Sequence, residues 1–305
     1  MTKKIIIKVV STIIALVLTI SSLTFASVLP SSALNRTVHY LRYDCTSKSI
    51  TNYTLNQLSE YASNSRTIFP DNRKPDTDQS VVYLSSGGSG FIVDDHCIAT
   101  AAHCVYDYVN NCFIDNIDVI ICNSNKNNPI LTCDAVALHI PLMFRSYRNN
   151  EPIRSCYDYA LIYVEEDLSQ YGIFELGVPT NAFLSNNSAI VTSGFPGYIN
   201  VDQGANGQRY YSTGSMQTFN ITNDIQLYPE AADLRFYSTC INSAGDSGGP
   251  AYAITTLQNT EYRTIVGIVT GAGTKIENNV EGYWGTYGVR MTTDLLHFYL
   301  NNSYI

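Results

Sequence analysis

The sequence predicts an all-β fold, on three observations. Short runs rich in β-branched and aromatic residues recur between clusters of Gly, Asn, Asp and Pro, as in strands joined by turns. No long amphipathic helix separates these runs, which disfavours a parallel α/β sheet. Tyrosine occurs 23 times, Trp once and Met four times, a balance suited to strands and loops rather than a helical bundle. The 305 residues are 45% hydrophobic and 14% charged, enough apolar material for a sizeable core. The formal net charge of −8 leaves no basic stripe to neutralise phosphates, so nucleic acid is not an expected partner.

The elements follow in order. Lys3, Lys4 and Lys8 open the chain, an uncharged run follows over residues 9–20, and Ala26 offers a cleavage position after small residues. This pattern predicts a secretory signal peptide over residues 1–26, with an uncleaved anchor as the alternative. Residues 27–67 are rich in Ser, Asn and Thr and read as a pro-segment or a poorly structured linker. From residue 68 the texture changes to strand-like runs at 80–84, 90–94, 117–122, 159–164, 188–195 and 263–271. A single helix is expected at the C-terminus: Thr293 can cap it, Asp294 suits its first turn, and Leu295, Leu296, Tyr299 and Leu300 share a face. After signal cleavage no segment is apolar enough to span a bilayer. Eight cysteines (Cys45, Cys97, Cys104, Cys112, Cys122, Cys133, Cys156 and Cys240) allow four disulfides in an exported protein. None forms a Cys-x-x-Cys pair, so structural zinc is not expected.

Three motifs carry chemistry. Gly245-Asp246-Ser247-Gly248-Gly249-Pro250 is a tight turn that exposes a serine hydroxyl and can aim the amides of Gly245 and Ser247 at a developing oxyanion. A serine is a weak nucleophile at neutral pH and needs a base. His103, in Thr100-Ala101-Ala102-His103-Cys104, stands where a strand exits into a turn, a context that His39, His96, His139 and His297 lack. Asp158 opens the run YALIYV and would hold the imidazole in one tautomer. Asp107, Asp115, Asp118 and Asp134 are its rivals; order and spacing favour Asp158, 55 residues after His103 and 89 before Ser247.

TAAHC, DYAL and GDSGGP, in that order, resemble the chymotrypsin-fold serine proteases. IFPDNRKPDTDQS (68–80), GFPG (194–197) and the late Gly288-Val289-Arg290 are similar to the bacterial secreted glutamyl endopeptidase branch. The resemblance covers residues 68–305. It implies two packed six-stranded antiparallel β-barrels, about 68–170 and 171–290, closed by the C-terminal helix. It also implies a secreted, monomeric endopeptidase of Gram-positive-type export, acting on polypeptides without metal or organic cofactor. A non-catalytic binding protein on this fold and a secreted esterase are the alternatives. By motif alignment Ile241, Asn242, Val269, Thr270 and Gly271 would line the primary pocket. No cation or carboxylate stands among them, so uncharged residues are expected before the scissile bond, with glutamate the alternative that the resemblance implies if the new N-terminal amine supplies charge. Asn242 and Val269 occupy the positions where the glutamyl branch has a glutamate-binding Thr and His, and Gly88 stands where the superfamily commonly has the partner of Cys104. The resemblance further implies a zymogen: cleavage near Arg66 would free Ile68, whose ammonium would pair with Asp246. Arg154 or Arg235 is the alternative partner.

Overall fold

The computed structural model describes residues 36–57, 73–200, 203–219, 228–229, 231–257, 260–277 and 280–302. The expected signal peptide and Ile68 lie outside them. Strands β1 (Arg36–Asp44), β2 (Ser49–Gln57), β3 (Lys74–Pro75), β4 (Val81–Leu84), β5 (Ser89–Asp94) and β6 (Cys97–Thr100) come first. β7 (Tyr106–Asp107), β8 (Cys112–Phe113), β9 (Asp118–Cys122), β10 (Pro129–Asp134), β11 (Ala137–Pro141) and β12 (Ala160–Tyr163) follow. The second half holds β13 (Glu175–Leu176), β14 (Ala189–Gly194), β15 (Tyr198–Asn200), β16 (Gln203–Gly204), β17 (Tyr210–Thr218), β18 (Arg235–Ser238), β19 (Pro250–Leu257), β20 (Thr260–Glu277) and β21 (Val280–Arg290).

The first sheet runs β10-β9-β4-β5-β6-β12-β11-β1-β2. β10 and β11 are two halves of one bent strand. At the bend Ala135 N–H bonds back to Ile117 O and Val136 N–H to Tyr163 O, which joins the two ends of the sheet into a barrel. The barrel thus has six strands. The second sheet runs β13-β20-β19-β14-β17-β18-β21, and pairing of β20 with β21 closes six of these into a second barrel. Alternating apolar residues turn inward because the barrel wall has two faces. Val82, Ile92, Ile98, Val119, Leu138 and Ile162 share the inner face of the first barrel, and Ile190, Met216, Phe236, Ala251 and Val266 cluster in the second.

Residues 36–57, inside the stretch expected to be a pro-segment or a poorly structured linker, form an ordered hairpin. β1 pairs β2 over nine residues and adds antiparallel to the outer edge of β11. β3 joins the second sheet through β17. The C-terminal helix (Thr293–Asn302) is present, but its cap is one residue earlier than expected: Thr292 Oγ1 accepts from Leu295 N–H at 3.2 Å. The expected disulfides are absent, a correction: all eight cysteines are thiols. Cys104 Sγ lies against Ser247 O, Cys156 Sγ against Pro152 O and Cys240 Sγ against Ile190 O. Among the described residues no helix is long and apolar enough to cross a membrane.

Candidate active site

β6 ends at Thr100, and the buried small residues Ala101 and Ala102 lead into a 3₁₀ turn, Ala102–Cys104, that carries His103. β12 lies antiparallel to β6 with Ala160 opposite Thr100. The residues just beyond those partners therefore meet at one end of the strand pair: His103 on one, Asp158 on the other. Asp158 Oδ2 lies 2.7 Å from His103 Nδ1, and Oδ1 accepts the His103 backbone N–H at 2.9 Å. A carboxylate only accepts, so the Nδ1 partner fixes the proton there and leaves Nε2 for chemistry. The His103 side chain is 28% exposed and that of Asp158 is 9% exposed. Burial disfavours the charged ring, but the Asp158 carboxylate, helped by Cys104, outweighs it. The imidazole is held well above its ordinary 6.5.

Ser247 comes from the other barrel, on the loop between β18 and β19. Its carbonyl accepts from Ser89 N–H at 2.7 Å and from Cys104 Sγ at 3.4 Å, which clamps it to the residue after His103. Two glycines make this approach possible. Gly248 has φ +86°, and a Cβ there would lie 2.1 Å from Ser89 O and Thr100 Oγ1. Gly245 has φ +99°, and its Cβ would lie 2.4 Å from Phe195 O. Around them the N–H groups of Asp246, Gly248 and Gly249 are spent on Ser243 O, Val269 O and Asp246 O. Among the described residues no acceptor takes the N–H of Gly245 or Ser247, so both are available to a ligand. Asp246 is buried, with Oδ2 accepting Ser243 N–H at 2.8 Å and Oδ1 against Gly194. Arg154, one alternative partner for it, instead lies over the Tyr108 ring and donates to Arg148 O. Arg235, the other, lies over the Phe219 ring.

The pocket candidates also converge on this loop. Val269 N–H bonds Gly249 O at 2.9 Å, which brings Val269, Thr270 and Gly271 beside it. Ile241 and Asn242 are buried just upstream. Asn242 Oδ1 accepts from Thr192 Oγ1 at 3.1 Å, whereas its buried Nδ2 has no partner among the described residues. Sequence reasoning missed Ser89. Its N–H holds Ser247 O, and its hydroxyl donates to Gly245 O at 2.8 Å and accepts Phe195 N–H at 2.9 Å. The signal was the Ser/Gly run 85–90 at the start of a strand, where a small donor can approach another backbone. Among the described residues no group of three or more His, Cys, Asp or Glu is placed to hold a metal.

No curated protein matches the chain. A solved structure of a Glu endopeptidase in complex with MPD is similar with a TM-score of 0.57 and 19% identity, covering 78% of this chain and 99% of that one. That likeness is one of fold, and it agrees with the two closed barrels. A family model described as Trypsin matches residues 70–289. With more than half of its length matched and with this architecture, the chain belongs to the trypsin family and is a serine-type endopeptidase acting on polypeptides.

Proposed function

We propose that the protein is exported and hydrolyses peptide bonds through a Ser247-His103-Asp158 triad and an acyl-enzyme. His103 Nε2 takes the Ser247 hydroxyl proton as Oγ attacks the carbonyl carbon. The oxyanion forms against the N–H groups of Gly245 and Ser247. The C–N bond then breaks, and the same proton passes from His103 to the leaving amine. Water, deprotonated by His103, hydrolyses the ester and restores Ser247. This is the general serine-protease mechanism applied to these atoms. The observation that carries the reading is the convergence of a doubly hydrogen-bonded His103–Asp158 pair with Ser247, whose carbonyl is tied to Ser89 and Cys104.

Ser247→Ala is expected to keep the fold and to lower kcat by on the order of 10⁴-fold or more. A fluorophosphonate should label the wild-type protein at Ser247 and leave the variant unlabelled. Retained peptidase activity in the purified variant would sink the mechanism. For the acyl side, Asn242 supplies a buried Nδ2 donor without a partner among the described residues, and no charged group stands among Ile241, Val269, Thr270 and Gly271. Uncharged residues are therefore expected before the scissile bond. A cleavage profile dominated by Arg and Lys would refute that assignment.

A further inference from the structure

A cleft of about 490 Å³ borders the nucleophile loop at Ala244 and Gly245. Ala244, Gly245, Phe195, Gly87, Tyr83 and Lys126 line it, and none of Ile241, Asn242, Val269, Thr270 or Gly271 does. One wall is the turn between β4 and β5. A Cβ on the next residue of that turn, Gly88, would lie 2.4 Å from Cys104 Sγ, so the wall adjoins the residue after His103. The proton for the leaving amine must come from His103. The leaving half of the substrate therefore departs on this side.

The cleft has one charged side chain on its walls, and that charge is preorganised. Lys126 N–H bonds Gly207 O at 3.0 Å, which pins its backbone to the second barrel's loop. Its ammonium lies 3.7 Å from the Tyr83 ring centroid, and Tyr83 packs edge-on to Phe195. No carboxylate is among the residues lining the cleft. Among the described residues Lys126 has no ion-pair partner, in a chain of net charge −8. A cation over an aromatic face keeps its outward hemisphere for an anion.

We infer that this cleft binds the leaving-group side of the substrate and that Lys126 selects an acidic side chain within the first three residues after the scissile bond. The inference rests on the reading of Ser247 as nucleophile. The test uses peptides with one fixed acyl side and Glu, Gln or Lys at each of those three positions. A blocked anilide with the same acyl side and no leaving-group residues is run beside them. At one position kcat/KM for Glu should exceed that for Gln by about threefold to fivefold, the scale of one partly screened ion pair. The ratio should shrink as salt is raised. It should fall to about one in Lys126→Met, and Lys126→Glu should favour the Lys peptide instead. Anilide cleavage with equal rates for Glu and Gln peptides at all three positions would overturn this inference alone. So would a Glu preference that survives in Lys126→Met. No cleavage of either substrate type by protein cut after Thr67 would overturn the proposed function along with it.

Discussion

The Cys104 thiol rests in space that Gly88 leaves open. A Cβ at residue 88 would lie 3.1 Å from Cys104 Cβ and 2.4 Å from its sulfur, slightly inside disulfide geometry. Gly88→Cys should therefore bridge to Cys104 after a shift of about half an ångström. A loop of this length is worth roughly 3 kcal/mol in chain entropy, less the strain of that shift. Oxidised Gly88→Cys should melt higher than the parent, and its reduced form lower, because the added sulfur then crowds the thiol. Thiol titration and melting with and without reductant read this; a reduced form as stable as the oxidised one would show that no bridge forms. The second residue-scale prediction concerns pH. A base must be neutral, and His103 is held well above 6.5, chiefly by Asp158 acting against burial. The acid limb of kcat/KM should thus lie above 6.5. Asp158→Asn should move it to lower pH while activity falls on the order of 10⁴-fold. A pH profile unmoved by that change would give the role to another carboxylate. The same pair stabilises the fold most below about 6.5, and the contribution is lost as pH rises through the folded-state pKa. The His103 and Ser247 turns stood out in the sequence because close backbone approach there calls for small residues and glycines, whereas Asp158, between two tyrosines, was picked out by order and spacing alone. Ser89 was marked only by its Ser/Gly run, because the backbone groups its hydroxyl joins, on Gly245 and Phe195, lie 156 and 106 residues away.

The β1–β2 hairpin shows where local reading runs out. Its composition looks like a linker, yet Tyr40 and Leu41 are fully buried. Tyr40 stacks on Phe298 with centroids 4.7 Å apart, and its hydroxyl lies 2.9 Å from that of Tyr159, the neighbour of Asp158. The pairing that organises this hairpin is with β11, nearly 100 residues later, so it leaves no short-range period. Strands β4 to β6, by contrast, are joined by short turns between apolar runs, and the terminal helix shows its 3.6 period directly. The structure makes the hairpin a working part of the first barrel's edge. After any cut between residues 57 and 73 it should remain bound. Gel filtration of the processed protein should give one species with two N-terminal sequences, which separate only in denaturant. Tyr40→Phe would remove this buried hydroxyl contact and should cost about 0.5–1.5 kcal/mol. A processed protein that sheds the hairpin in native buffer and stays folded would contradict this.

At the scale of the whole molecule, one strap of chain joins the two barrels. Arg209, 0% exposed, precedes β17 of the second barrel and donates to Val81 O and Asn123 O of the first. Its guanidinium also approaches Asp76, which accepts from Ser193 Oγ and Asp78 N–H and donates its own N–H to Arg209 O. Two residues on, Asp78 pairs with Arg263 of β20. Three residues before Asp76, Arg73 donates to Tyr198 O, Ile199 O and Ser243 Oγ. Ser243 in turn gives its N–H to the buried Asp246 beside the nucleophile. Residues 73–80 therefore end at the loop that carries the Gly245 and Ser247 amides. Ile68 is five residues upstream of Arg73, a reach of roughly 17 Å when extended, so a freed ammonium at Ile68 can arrive at Asp246. Cutting after Thr67 is thus expected to switch activity on, with the new ammonium fixing the two amides. Asp246→Asn should permit the cut but leave the processed protein at a small fraction of normal kcat. Arg73→Ala should weaken activation less, because it loosens Ser243 without removing the charge pair. N-terminal sequencing beside activity, before and after processing, reads all three. Equal activity in a chain that still carries residues 27–67 uncut would show that the oxyanion loop is set without the new terminus.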